Sequence, residues 1–155
     1  MASFFSSAGS FLITVLASVF VFGIVIFIHE LGHFLLAKKN KIVVTEFSLG
    51  MGPRLLSTEK NGTRYSLKLL PLGGSCAMLG EDMEDESKGT FNGAPVWGRI
   101  ATVAAGPVFN FILAFVFAVL IVSLVGYDPA EVTQVESGST VAEAGLQEGD
   151  IIKEY

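Results

Sequence analysis

The sequence predicts an α-helical polytopic membrane protein, with two transmembrane helices and a segment of short strands and turns between them. Three observations predict it. The 155 residues are 51% hydrophobic and only 16% charged, with a mean hydropathy of +0.59, whereas a soluble domain carries about a quarter charged residues. The apolar residues are concentrated in two uncharged runs, Phe11 to Ile28 and Val108 to Val125. The residues between those runs carry period-two patterns and turn signals rather than a third apolar run. The same composition excludes disorder, which needs low hydrophobicity and high charge. A net charge of −5, from 10 basic and 15 acidic residues, argues against a nucleic-acid partner. The single cysteine, Cys76, excludes an intrachain disulfide and any multi-cysteine metal site.

The first run is broken only by Thr14, Ser18 and Gly23. As a helix its 18 residues rise about 27 Å, close to the thickness of a bilayer core. The helical pattern continues without a proline to about Lys39, giving a first segment of residues 1–39. A cleaved signal peptide fits poorly: residues 1–10 hold no Lys or Arg, and no small-x-small site follows the run. The central segment, residues 40–98, reads as strands over 42–49 and 64–70. Gly50-Met51-Gly52-Pro53 is a turn, Asn61-Gly62 a hairpin signal, and Pro71-Leu72-Gly73-Gly74 is expected to end the last strand. Glu81 to Glu86 is an acidic, solvated loop. The second span covers residues 99–126 and starts near Ile100, with Gly106-Pro107 bending or loosening its first half. In the tail, residues 127–155, Thr140 and Glu143 are placed to form a capping box on a short helix that Gly145 ends, before Gly149-Asp150 turns into a strand at Ile151.

Charge sets the expected topology. Nine of the ten basic residues lie from Lys38 to Arg99, and residues 128–155 hold seven acids and one lysine. The positive-inside rule places the central segment in the cytoplasm and both termini outside.

His29-Glu30-Leu31-Gly32-His33 carries the chemistry, as an H-E-x-x-H match. Helical positions i and i+4 lie about 400° apart, so both imidazoles point the same way and are able to bind one Zn²⁺. Glu30, about 100° round from His29, reaches a water at the metal without ligating the metal itself. It is then the general base, and the acid that protonates the leaving amine. The context strengthens a short motif. His29 and His33 are the chain's only histidines, and ionisable groups at the edge of a membrane helix are costly to place.

With these residues in view the chain resembles the N-terminal part of the site-2 proteases, intramembrane zinc metalloproteases, and within them the bacterial regulator-of-sigma-E type. Phe27 to Phe34 resembles the active-site helix. Phe47-Ser48-Leu49-Gly50-Met51-Gly52-Pro53 is similar to an F-S-x-G-x-G-P segment. Leu70 to Gly74 with Met78-Leu79-Gly80-Glu81 resembles the membrane-associated β-hairpin region. Ala105-Gly106-Pro107-Val108-Phe109-Asn110-Phe111 resembles an A-G-P-x-x-N-F element, and Ala144 to Ile152 the A-G-L-x-x-G-D-x-I turn of a PDZ domain. The implied architecture is two transmembrane helices, a membrane-associated hairpin between them, and the start of a PDZ domain.

The resemblance implies Zn²⁺ as cofactor, the lipid bilayer as surroundings, a multi-pass place in the bacterial inner membrane, and regulated intramembrane proteolysis of single-pass substrates such as anti-sigma factors or remnant signal peptides. His29 and His33 are the implied zinc ligands and Glu30 the catalytic residue. Asn110 binds substrate backbone or steadies an oxyanion, or else makes a structural interhelical hydrogen bond. Gly73 and Gly74 either let the hairpin edge approach an extended substrate or are plain turn glycines. The family's third ligand is an Asp in an L-D-G-type motif, which this sequence does not contain, and its PDZ segment is partial. The sequence therefore reads as the N-terminal portion of a longer protease. The alternative is a catalytically inactive piece lacking the third zinc ligand.

Overall fold

In the computed structural model the described residues are 2–126 and 130–151, with side chains from residue 9 onward. Their elements run α1 (Ala2–Lys39), β1 (Val44–Lys60), β2 (Thr63–Met78), α2 (Val96–Val125) and α3 (Thr140–Glu143). The chain divides into two units, residues 1–115 and 116–155.

Both long helices have the length and composition to cross a membrane, over Gly9–Lys39 and Val96–Val125. Large apolar side chains such as Phe11, Phe20, Phe22, Phe111 and Phe115 are exposed on them. In water each such ring would forfeit about 25 cal/mol for every Å² left uncovered; hydrocarbon removes that penalty. Two hydroxyls within the apolar run are satisfied inside the helix, as a spanning segment requires: Thr14 Oγ1 donates to the Ser10 carbonyl at 2.9 Å and Ser18 Oγ to the Thr14 carbonyl at 2.8 Å. α2 starts at Val96, earlier than the sequence suggests. The Pro95 carbonyl accepts the first bond, from Arg99 N at 3.0 Å, and a proline at this position has no N–H to leave orphaned. The helix then runs through Pro107 without a break.

The hairpin forms where Asn61-Gly62 indicates. Both residues have positive φ (53° and 72°), as a two-residue turn between twisted strands requires. The strands differ from the expected short pieces over 42–49 and 64–70. β1 bends at Gly50 and Gly52 (φ 90° and 86°) without ending, and β2 bends at Gly73 (φ 79°) and continues to Met78. Pro71 to Gly74 therefore redirects the strand rather than terminating it, because glycine takes a turn conformation at no steric cost while pairing resumes beyond it. The antiparallel pair folds back on itself, so β1's first residues have neighbours on two sides. Phe47 lies beside both Cys76 and Tyr65, and Ser48 beside both Ser75 and Ser66.

This sheet packs on the C-terminal part of α1. Ala37, Ile42, Val44 and Cys76 are buried together, with Phe34, Phe47 and Met78 against them. Phe47 meets Phe34 and Phe27 edge-on, at centroid distances of 5.2 and 6.0 Å. Lys38 Nζ donates to Thr63 Oγ1, which donates to the Val44 carbonyl, both at 2.8 Å.

In the second unit, Ser139 caps α3: its Oγ accepts from Ala142 N at 3.3 Å. The cap thus lies one residue before the expected Thr140, and the third helical position is Ala142, so no capping box with Glu143 forms. Gly145 follows at φ 92°. Glu131 bridges Ile151, Val132 N donates to Asp150 O at 2.9 Å, and Gly149 N to Val132 O at 2.9 Å. Asp128 and the expected strand beyond Ile151 lie outside the described residues.

Candidate active site

His29, Glu30 and His33 are half-buried near the C-terminal end of α1. The helix stacks the two imidazoles as their spacing predicts, with centroids 4.8 Å apart and planes at 75°. α2 holds both rings from behind. His33 Nδ1 lies 2.8 Å from the Thr102 carbonyl oxygen. A carbonyl only accepts, so Nδ1 carries the proton and Nε2 is bare. His29 Nδ1 lies 3.1 Å from Asn110 Nδ2.

The outer nitrogens converge on Gly106. A Cβ at Gly106 would lie 2.6 Å from His29 Nε2 and closer still to His33 Nε2. The missing side chain is what lets both nitrogens lie this close to the backbone of α2. Thr102, Gly106 and Asn110 follow one another every four residues and so share a face of α2.

Small residues let the two helices come this close. A Cβ at Gly32 would sit 2.6 Å from the Ala105 carbonyl oxygen and 3.1 Å from Phe109 Cγ. Thr102 is fully buried and returns its hydroxyl to the Gly98 carbonyl at 2.8 Å.

Two imidazole Nε2 atoms brought together beside Gly106 suit a Zn²⁺ ion, which takes neutral imidazole readily. Among the described residues no group of three His, Cys, Asp or Glu side chains is placed to hold a metal. A catalytic zinc usually has three protein ligands.

Glu30 and His33 face a cleft of about 480 Å³, whose opposite wall is Ser75 to Met78 of β2 and whose rim includes Glu81 and Asp82. Gly74 brings the strand there. A Cβ on it would lie 2.9 Å from Glu30 Cγ and 3.1 Å from Ile26 Cγ2. Gly73 is a bend one residue away, and a side chain there would strike Met51 instead. Cys76, buried in the cleft wall, has its thiol pushed up to about 12, first by burial and then by the Glu30 and Glu81 carboxylates. Elsewhere on the hairpin, Arg54 holds the Glu46 carboxyl down to about 2 through a hydrogen bond at 2.6 Å.

The structure thus gathers His29, Glu30, His33, Asn110 and Gly74 in one region, with Gly73 at its margin. Sequence reasoning missed Thr102, which acts through its backbone carbonyl and leaves no residue-type signal. It read Gly106 as shaping the helix. The four-residue spacing of Thr102, Gly106 and Asn110 was the available sign that all three face α1.

Two helices able to cross a membrane, meeting at an H-E-x-x-H on one of them, define the class of membrane-embedded metallopeptidases. The chain belongs to Peptidase family M50, whose model matches residues 17–151. It is 38% identical over 167 aligned positions to a protein of Brucella suis biovar 1 (strain 1330) named as a zinc metalloprotease, covering 97% of this chain and 44% of that protein. A Clostridium acetobutylicum protein also named as a zinc metalloprotease is 39% identical over 138 positions, covering 89% of this chain and 41% of that protein. Regulator of sigma-W protease RasP of Bacillus subtilis (strain 168) is 30% identical over 226 positions, covering 92% of this chain and 54% of RasP. The chain spans about half the length of these curated relatives, or less.

Proposed function

We propose that the chain supplies the catalytic zinc helix of an intramembrane metalloendopeptidase that cuts single-pass membrane proteins. The observation that carries this reading is the convergence of His29 and His33 Nε2 on Gly106, beside a cleft that Glu30 and His33 line. His29 and His33 would hold the ion, which supplies Lewis acidity toward a water and the scissile carbonyl. Glu30 takes the proton from that water at its carboxylate and hands it to the leaving amine nitrogen. Its position one residue after His29, about 100° round the helix, lets it reach that water without ligating the ion, and it lines the same cleft as His33. The Ser75–Met78 run offers an extended substrate a strand to lie beside, and Gly74 lets that strand sit against Glu30. A substrate helix has to unwind first, since its carbonyls are otherwise shielded, and the cleft admits water where lipid would not.

The parts of the chain are then a first span (1–39), a hairpin region (40–98), a second span (99–126) and the beginning of a PDZ domain (127–155). The Glu131–Ile151 bridge and the Gly149 turn support the last of these. The basic central segment is on the cytoplasmic side of the inner membrane and the acidic tail outside. Anti-sigma factors and remnant signal peptides are the substrates proposed. The name of RasP, regulator of sigma-W protease, supports the former. A second reading, that this chain alone binds the ion weakly and cuts nothing, has in its favour that no third ligand joins the histidines among the described residues.

The test is cleavage of a tagged single-pass reporter in membranes, with zinc content measured alongside. Glu30→Gln should lower cleavage by at least about 100-fold while zinc is retained. Undiminished cleavage sinks the role of Glu30. Substoichiometric zinc with no cleavage by the unaltered chain selects the second reading.

A further inference from the structure

The side chain of Asn110 is in an arrangement that conflicts with a metal at His29. Its Nδ2 lies 3.1 Å from His29 Nδ1, while its Oδ1 is buried with no hydrogen-bond partner. An amide nitrogen only donates, so in this arrangement His29 Nδ1 is the acceptor and the ring proton is on Nε2. Nε2 is the atom that faces Gly106 beside His33 Nε2, and a protonated Nε2 cannot bind an ion. Baring Nε2 moves the ring proton to Nδ1, where two N–H groups would then face each other. A half-turn of the amide about Cβ–Cγ exchanges Oδ1 for Nδ2 at the same reach. Nδ1–H then donates to an oxygen that otherwise has no donor, and the NH₂ moves to the side of the amide away from His29.

We infer that Asn110 is the positioning residue for His29, with its amide oxygen facing Nδ1 in the metal-bound chain so that Nε2 is fixed as the ligating atom. The inference rests on the zinc-site reading given under Proposed function and gives Asn110 a task distinct from contact with substrate. His33 needs no such side chain, because the Thr102 carbonyl against its Nδ1 is an acceptor in every state. The pair is therefore asymmetric: His33 is held by a backbone carbonyl, and His29 by a side chain. Outer hydrogen-bond partners of metal-bound imidazoles commonly fix the tautomer in this way, and removing one costs about 10–100-fold in metal affinity.

Two measurements on the purified chain in detergent test it, neither requiring turnover. The first is ¹⁵N NMR of histidine-labelled, unsubstituted chain loaded with Zn²⁺. His29 should be in the Nδ1–H tautomer, and an Nε2–H signal for His29 with zinc bound overturns the inference. The second is Co²⁺ affinity by chelator competition. Asn110→Leu should weaken binding by about 10–100-fold, and Asn110→Asp, which presents only acceptor oxygens, should bind nearly as tightly as the unsubstituted chain. Equal affinity for the Leu variant, or an Asp variant as weak as Leu, overturns it. No metal binding by the unsubstituted chain overturns the zinc-site reading itself and this inference with it.

Discussion

At the scale of single residues, chemistry follows from what each side chain is pressed against. Cys76 is the clearest case outside the histidines. Burial and two nearby carboxylates hold its thiol at about 12, against an ordinary value of 9.0. The thiolate is the nucleophile, so the folded chain should be nearly inert to iodoacetamide at pH 8 and react readily once denatured; equal rates before and after denaturation would refute the placement. The sign of the linkage follows. Between pH 9 and about pH 12 the unfolded chain loses this proton and the folded chain keeps it, so this site withdraws stability as pH rises through that window and changes nothing below it. Sequence alone showed only a small residue at position 76. Its inertness is a property of the cleft wall, which forms when β2 returns to pair with β1.

At the scale of elements, periodicity and turn chemistry were legible and close approach was not. Two apolar runs give α1 and α2, and Asn61-Gly62 gives the hairpin, because those signals are local. The bend at Gly73 and the pairing of 74–78 with 44–49 depend on residues some 30 positions apart, and a Pro-x-Gly-Gly string reads the same whether a strand ends or turns. The cap at Ser139 rather than Thr140 is a one-residue choice between two hydroxyls that local pattern does not separate. Gly32 is the sharpest example. In sequence it is one of the two variable positions of H-E-x-x-H; in the structure it is the contact of α1 with the backbone of α2. Gly32→Leu should destabilise the helix pair by about 1–3 kcal/mol, since a backbone carbonyl 2.6 Å from the new Cβ has nowhere to go. Unfolding in mixed micelles measures this, and an unchanged midpoint would mean that the helices do not pack as described.

At the scale of the whole molecule, composition identified the membrane, and the family match over residues 17–151 agrees with the resemblance read from ordered motifs. The net charge of −5 conceals two regions of opposite character, a basic centre and an acidic tail. If the centre is cytoplasmic as proposed, a cysteine at exposed Ser87, in a Cys76→Ser background, should react with a membrane-impermeant maleimide only from the cytoplasmic side. One at exposed Ser137 should react only from the other side. The reverse pattern would invert the topology. The site was legible in its reactive residues, His29, Glu30 and His33, which the motif names. Its framework was not, because that framework is a carbonyl, an absent side chain and the inner edge of a bent strand.

The division of labour between the helices has one more consequence. One helix owns the ligating nitrogens and the other owns the groups that orient them, so neither half of the site exists until the two have associated. Metal affinity thereby becomes a gauge of helix association inside the bilayer. A substitution at Gly32, which touches no imidazole, should register on that gauge as loosened zinc, and added zinc should in turn draw a weakened pair back together.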